Sequence, residues 1–297
     1  MLKYHFFDYK YNIEGFTTDL FSTTHIVFIV LAILSVIAIG IFAHKFDKKK
    51  ITWFLRGLAI FVTLLEASKI IWESYYDVTT GRGFNAGGIL PFYSCSLLIY
   101  CLWFGAWGKG KPREIALTWL GTIGLCCGLI GTIYTNGLNW YPFWTYGAWD
   151  SILFHYNLLM VGVLLLASGY VKLRWKDILL AVVPMVLLSV IASPLNYYYG
   201  ADYMQIYSGD GVPLMNGLAS YLDGKNLRPL FTIIMLASYL ILSGLVVGIY
   251  KLIGFIKGKV AEKKVTATEG AAPTLIEEAV ATTTDEATDK TDPNDKE

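Results

Sequence analysis

Seven long apolar stretches are the feature that most constrains the fold of this chain. They cover residues 23–43, 51–72, 87–107, 115–135, 151–170, 178–197 and 229–250. Each has about 20 residues, the length at which a helix crosses a ~30 Å hydrocarbon core. Main-chain polar groups in lipid must be satisfied within their own segment, so each stretch is predicted to be helical. The sequence therefore predicts an all-α membrane bundle of seven transmembrane helices.

The composition supports this reading. Only 16% of the residues are charged and 55% are hydrophobic, whereas a soluble domain carries about 25% charged residues. This composition excludes a soluble enzyme and a nucleic-acid-binding protein. A secreted disulfide scaffold is also excluded, because all four cysteines lie inside predicted spans. We expect a multi-pass protein of the cell membrane, of bacterial plasma-membrane type.

Three segments follow from these patterns. Residues 1–22 mix aromatic and polar side chains and are expected to form an extracytoplasmic or interfacial leader. Residues 23–255 are the seven-helix domain. Residues 256–297 are basic and then acidic, with almost no large apolar side chains beyond residue 265, so we expect a disordered cytoplasmic tail.

The basic residues alternate between the two sides of the predicted bundle. Fifteen Lys and Arg residues follow the first, third, fifth and seventh spans, against five on the opposite side. Cytoplasmic loops carry the excess of positive charge in membrane proteins. The amino terminus is therefore predicted outside and the carboxyl terminus in the cytoplasm.

Small and aromatic residues mark predicted packing surfaces. Four glycines share one face of the fourth span, where backbones could approach closely: Gly121, Gly124, Gly128 and Gly131. Gly244 and Gly248 repeat this spacing in the seventh span and are also interpreted as packing residues. The loop 136–149 carries six aromatic side chains, which fit either an interfacial belt or a lid over a lipid-sized cavity.

A charged residue within a membrane span costs free energy, so such residues are first interpreted as functional. Glu66, Lys69 and Glu73 share one face of the second span. They are interpreted either as a self-neutralising ladder, in which Lys69 bridges both carboxylates, or as part of a site. Both interpretations stay open at this point.

The third span contains Pro91, which removes one helical hydrogen bond and is expected to kink the helix. The kink would open space beside Tyr93, Ser94, Cys95 and Ser96. A buried cysteine is ordinarily a small apolar side chain, so Cys95 needs a partner before it is a candidate nucleophile.

His155 is the only histidine well within a predicted span. With Glu66 and Cys95 it falls in the outer half of the bilayer, each on a different helix. An imidazole within hydrogen-bond reach could activate the thiol. Asn196 or Glu66 is the better candidate to orient that imidazole, because Asn157 faces elsewhere.

Three motifs resemble the YwaF-like bacterial integral membrane family, which is related to transmembrane protein 164. LPFYSCSL at 90–97 is similar to its LP-x-H-x-C-[DS]-L element, and LFHYNLL at 153–159 to its helix with a buried histidine. NYYYGADYM at 196–204 is similar to its N-[YW]-x-x-G-x-x-Y-M turn. The motifs are short, and their order and spacing carry the resemblance.

The animal relative is understood as a cysteine-dependent phospholipid acyltransferase. The resemblance implies that Cys95 accepts the acyl group and that His155 is its base. It also implies that the 196–204 turn shapes the mouth of the site through five side chains: Asn196, Tyr199, Gly200, Tyr203 and Met204. The chain departs from the family in having Tyr93 in place of a histidine and Ser96 where an aspartate is frequent.

Two functions are therefore considered. The first is a membrane-embedded acyltransferase or lipid esterase with membrane lipids as acyl donor and acceptor, Tyr93, Ser94 or Asn196 as oxyanion donors, and no cofactor or metal. The second is a protein that binds or transports a small molecule or lipid through a charged site on the extracytoplasmic side, at Glu66, Lys69 and Glu73. A structural role is a third interpretation.

Overall fold

A computed structural model of the chain describes residues 4–209 and 215–285, and all the regular elements within these ranges are helical. Ten α-helices follow one another along the chain. They are α1 (Thr23–Phe42), α2 (Lys48–Thr79), α3 (Ala86–Ile89), α4 (Leu97–Trp107), α5 (Gly110–Trp119), α6 (Leu125–Ile133), α7 (Tyr146–Ala167), α8 (Asp177–Tyr199), α9 (Met215–Asp223) and α10 (Arg228–Asp285). A π-helical segment, Leu120–Gly124, joins α5 to α6 without a break.

Within the described residues, five helical segments are long and apolar enough to cross a membrane. They are Thr23–Lys45, Gly110–Asn139, Tyr146–Ala167, Asp177–Tyr199 and Arg228–Lys263. The all-α prediction is confirmed. The seven-span count and the orientation stay predictions, since the second predicted span lies in the charged helix α2 and the third is interrupted.

The third predicted span is not one kinked helix, and this part of the prediction is wrong. The chain leaves the helical conformation after α3 and resumes it only at Leu97. Leu90 is extended, with φ −72° and ψ 148°, as expected for the residue before a proline. Pro91 therefore breaks the helix, and Cys95 lies in the irregular segment just before α4.

Helix α7 packs against α1, α2 and α6, and the glycine face predicted in the fourth span makes the closest of these contacts. A Cβ at Gly128 would overlap the main chain at Leu159, and one at Gly131 would overlap the ring of His155. A Cβ at Gly244 would meet no described atom within 4 Å, so the packing interpretation finds no close neighbour for this glycine among the described residues. For Gly248 it stays a prediction.

The leader and the loop between α6 and α7 form one aromatic cluster. Tyr9, Tyr141 and Phe143 are buried in it, whereas Trp140 and Trp144 are more than half exposed. The carbonyl oxygen of Phe6 accepts a hydrogen bond from the amide of Tyr146. The leader therefore covers the carboxyl-terminal end of α2 and the amino-terminal end of α7, which the sequence does not reveal.

The chain divides into two compact units, residues 1–247 and 248–297. In the second unit α10 continues as far as Asp285. The sequence predicts a disordered tail from residue 256; the helix covers its first 30 residues, and residues 286–297 lie outside the described ranges.

Candidate functional site

Cys95 lies at the amino-terminal end of α4, one residue before Ser96, which precedes the first helical residue. Its side chain retains accessible surface, whereas Ser96 and Leu97 are buried. The main-chain N–H of Ser96 donates to the carbonyl oxygen of Tyr93 at 3.0 Å.

The turn between α8 and α9 holds the irregular segment in place. The side-chain amide of Asn196 donates to the carbonyl of Tyr203 at 2.9 Å, and its oxygen accepts from the Tyr203 amide at 2.7 Å. The Tyr203 hydroxyl donates to the carbonyl of Ala86, and the Met204 amide donates to the carbonyl of Phe92 at 3.1 Å. The turn is therefore a clamp on the segment that carries Cys95.

Two more contacts complete this clamp. The Ser94 hydroxyl donates to the side-chain oxygen of Gln205 at 3.0 Å, and the ring of Tyr93 meets that of Tyr203 edge-on, with centroids 5.3 Å apart. Asn196, Tyr203 and Met204 are fully buried, whereas Tyr199 and Gly200 are exposed. Most of the predicted mouth residues are thus structural.

His155 has a defined tautomer. Its Nδ1 lies 2.8 Å from the carbonyl oxygen of Ser151, and since a carbonyl only accepts, Nδ1 carries the proton. Nε2 then holds a free lone pair and has no hydrogen-bond partner among the described residues. The prediction that Asn196 or Glu66 orients His155 is wrong, because Asn196 holds Tyr203 and Glu66 pairs with Lys69.

Helix α6 relates Cys95 to His155. The thiol of Cys127 is close enough to Cys95 to interact with it electrostatically, and the ring of His155 lies on Gly131. Cys127 and Gly131 are four residues apart and share a helix face. Cys95 and His155 are therefore both neighbours of α6, and no hydrogen bond joins them within the described ranges.

Lys69 lies at the centre of the charged groups. Its Nζ is 2.9 Å from Oε1 of Glu66, and both side chains are largely buried. Lys69 also interacts electrostatically with Cys95, His155 and Asp150. The ladder interpretation is correct for Glu66 and wrong for Glu73, which forms no ion pair with Lys69 in the described part of the chain.

Beyond Lys69, the polar face of α2 continues toward the leader. Glu73 and Asp77 carry carboxylate oxygens that are buried without a hydrogen-bond partner, as does Asp150 on α7. Burial raises the pKa of the Tyr9 hydroxyl, and the carboxylates of Glu73 and Asp77 raise it further. The polar face therefore runs from the leader to the region of Cys95.

Sequence reasoning missed Asp150, Asp77 and Ser151. Asp77 follows Glu73 by four residues, so helical periodicity beyond the predicted end of the span could have found it. Asp150 begins the apolar stretch of α7, a position at which an acid is usually read as exposed. Ser151 orients His155 through its main-chain carbonyl oxygen, and no residue type in a sequence predicts such a contact.

No group of three or more His, Cys, Asp or Glu side chains is placed to hold a metal ion within the described ranges. The profile of the TMEM164 family matches residues 20–243. This range includes both chain segments of the clamp, Lys69, Cys95 and His155. No curated protein and no solved structure matches the chain.

Proposed function

The chain belongs to the TMEM164 family, and from this premise we propose that it is a membrane-embedded acyltransferase or lipid esterase. Cys95 is the nucleophile and His155 the general base in this proposal. The substrates are membrane lipid esters, the membrane is the bacterial plasma membrane, and the amino terminus faces outside. The observation that carries the proposal is the Nε2 lone pair of His155, which has no hydrogen-bond partner among the described residues. The His155 ring packs against α6, the helix whose Cys127 interacts electrostatically with Cys95.

In the first half-reaction, Nε2 of His155 takes the proton of the Cys95 thiol, directly or through one water. The thiolate attacks the ester carbonyl carbon, and the tetrahedral intermediate collapses with loss of the C–O bond. The leaving alkoxide takes the proton from Nε2 of His155, which restores the neutral imidazole. The lipid fragment departs, and the acyl group remains as a thioester on Cys95.

In the second half-reaction, the hydroxyl of an acceptor lipid or of water gives its proton to Nε2 and attacks the thioester. The C–S bond breaks, and the Cys95 thiolate takes the proton back from His155. The nearby ammonium group of Lys69 favours the anionic states of both steps. Nδ1 keeps its hydrogen bond to Ser151 throughout, so the imidazole presents the same nitrogen to both substrates.

The experiment is to trap the thioester. Purified protein incubated with a phospholipid bearing an alkyne-tagged acyl chain should acquire a label that neutral hydroxylamine removes. Cys95→Ser should abolish the hydroxylamine-sensitive label, and His155→Ala should slow its formation by about 10²–10⁴-fold. Cys101→Ala, at a buried cysteine with no charged neighbour, is the matched control and should label normally. Undiminished labelling of Cys95→Ser refutes the proposal.

A second candidate function is binding or transport of a charged solute or lipid. The observation in its favour is the largely buried Glu66–Lys69 pair on α2, since charges in membrane helices often mark a substrate path. Saturable uptake into proteoliposomes that is lost in Glu66→Gln and kept in Cys95→Ser would select this function over acyl transfer.

A further inference from the structure

The polar face of α2 nearest the leader has no role in the acyl-transfer steps. Glu73 and Asp77 are one helical turn apart, with Cβ atoms about 5–6 Å from each other. Asp150 approaches from α7 and interacts electrostatically with Glu73. Glu73 and Asp77 also act electrostatically on Tyr9 in the aromatic cluster of the leader, so the three acids form a series from α7 to that cluster. We call this region the acidic chamber.

The carboxylates of the acidic chamber lack partners. Asp77 is 3% exposed and Asp150 is 6% exposed, yet Oδ2 of Asp77, Oδ1 of Asp150 and Oε2 of Glu73 have no hydrogen bond. None of the three carboxylates forms an ion pair in the described part of the chain. Buried carboxylates are ordinarily paired or hydrogen-bonded, because removing the charge from water is costly. Lys69 acts electrostatically on Glu73 and Asp150, and Lys10 acts on Glu73. Neither lysine forms an ion pair with these acids in the described part of the chain, so the free oxygens remain available to a further positively charged ligand.

Aromatic rings form the outer wall of the acidic chamber. Tyr9 stacks on Tyr76, with centroids 5.2 Å apart and ring planes 12° from parallel, and meets Trp72 edge-on at 5.2 Å. The rings of this wall already attract cations, since Nζ of Lys10 lies 5.6 Å from the centroid of Tyr9. Carboxylates combined with aromatic faces are the usual environment for an organic ammonium group.

An inorganic ion fits this environment less well. A hard cation such as Ca²⁺ needs six to eight oxygen ligands, and the described residues contain no group of acidic, histidine or cysteine side chains placed to hold a metal. We propose that the acidic chamber binds an organic ammonium group, between the Glu73, Asp77 and Asp150 carboxylates and the Tyr9, Trp72 and Tyr76 rings. The group belongs either to a lipid headgroup or to a soluble amine.

The leader closes the acidic chamber. The carbonyl oxygen of Phe7 accepts hydrogen bonds from Nε1 of Trp72 at 3.2 Å and from the Tyr76 hydroxyl at 3.0 Å. These contacts fix Tyr9, two residues later, over the carboxyl-terminal end of α2. The leader therefore supplies one wall of the acidic chamber and shields it from water.

Binding of choline and of tetramethylammonium to the purified full chain tests the proposal. Titration calorimetry in nanodiscs of phosphatidylglycerol should give saturable binding, with sodium chloride at equal ionic strength giving none. Tyr9→Leu should weaken binding about tenfold, whereas Tyr9→Phe, which keeps the ring, should bind within twofold of the parent. Equal affinities of these two variants, or an equal response to sodium, overturn the proposal.

The carboxylates are tested by the double variant Glu73→Gln/Asp77→Asn, which should weaken binding at least tenfold. Asp223→Asn changes an exposed acid that pairs with Arg228 and should bind like the parent. If the double variant does not fold, the Tyr9 pair still decides the matter, because neither change alters a buried charge. Unchanged binding in a folded double variant refutes the site.

Two further measurements identify the ligand and separate this proposal from acyl transfer. Choline should bind at least tenfold more weakly in phosphatidylcholine nanodiscs if the native ligand is a lipid headgroup, and equally in both lipids if it is a soluble amine. Cys95→Ser should bind choline like the parent. A chain that binds choline without lipid turnover refutes only the proposed function, and the reverse result refutes only the ammonium site.

Discussion

The imidazole of His155 lies directly on the main chain of Gly131, where a Cβ would overlap Cδ2, Cγ and Nε2 of the ring. The contact joins α7 to α6 at the point where the glycine face of α6 is closest to its neighbour. It also fixes the ring, because Nδ1 is held by Ser151 on the other side. The position of the Nε2 nitrogen thus depends on the absence of a side chain at Gly131.

Replacing Gly131 with alanine should lower both the stability of the protein and the rate of thioester formation on Cys95. Gly131→Ala is expected to push the ring of His155 out of place, at a cost of about 1–3 kcal/mol in unfolding free energy, and to lower thioester formation on Cys95 at least tenfold. Gly57→Ala is the control, since no atom lies within 4 Å of its Cβ, and should stabilise α2 by up to ~1 kcal/mol. Normal labelling of a folded Gly131→Ala would contradict the assigned role of His155.

The clamp predicts that Asn196 acts on stability. Asn196→Ala leaves the amide and carbonyl of Tyr203 unpaired in a buried site, which should cost roughly 2–4 kcal/mol. Asn157→Ala loses only a bond to Leu153 within its own helix and should cost less than about 1 kcal/mol. Unfolding in mixed micelles measures both. Equal losses in the two variants would show that the clamp does not hold the Cys95 segment.

The buried ion pair should show strong coupling. Lys69→Met leaves the Glu66 carboxylate buried and uncompensated, and is expected to destabilise the protein by about 3–5 kcal/mol. The double variant Glu66→Gln/Lys69→Met removes both charges and should recover most of that loss. A double-mutant cycle on unfolding free energies measures the coupling. Additive effects of the two changes would mean that the pair is solvated.

The predicted orientation is open to direct labelling. Lys225→Cys should react with a membrane-impermeant maleimide in intact cells, because residue 225 is predicted to lie outside. Lys49→Cys should react only after permeabilisation, since the turn after the first span is predicted to be cytoplasmic. The parent chain, with its four native cysteines, corrects for background. The opposite labelling pattern would reverse the orientation, and labelling of both in intact cells would change the number of spans.

The sequence predicted the elements whose signal is local. Predominantly apolar stretches of about 20 residues predict a membrane helix at α1, α7 and α8, because main-chain satisfaction and lipid solvation act within each segment. The glycine spacing of the fourth span likewise predicted a close contact. At Gly244 the same spacing has no close neighbour among the described residues, because a small side chain permits close packing and does not create a neighbour.

The irregular segment around Cys95 shows where local reasoning stops. Pro91 predicted a kink, and the chain instead leaves the helical conformation for seven residues. Contacts with Tyr203, Met204 and Gln205, more than 100 residues away, hold this segment. Contacts between residues so far apart in the chain are set by tertiary packing, and no local sequence pattern predicts them. The orienting role of Ser151 was missed for the same reason, since it uses only a carbonyl oxygen.

The sequence by itself determined that this is an all-helical membrane protein and that Cys95 and His155 are the candidate pair. The length of an apolar stretch and the chemistry of a residue are properties of single segments. Only the tertiary structure decided which nitrogen of His155 is free, which carboxylate Lys69 neutralises and which acids remain unpaired. These depend on helix rotation and on the path of the leader, which are set by packing between segments far apart in the chain.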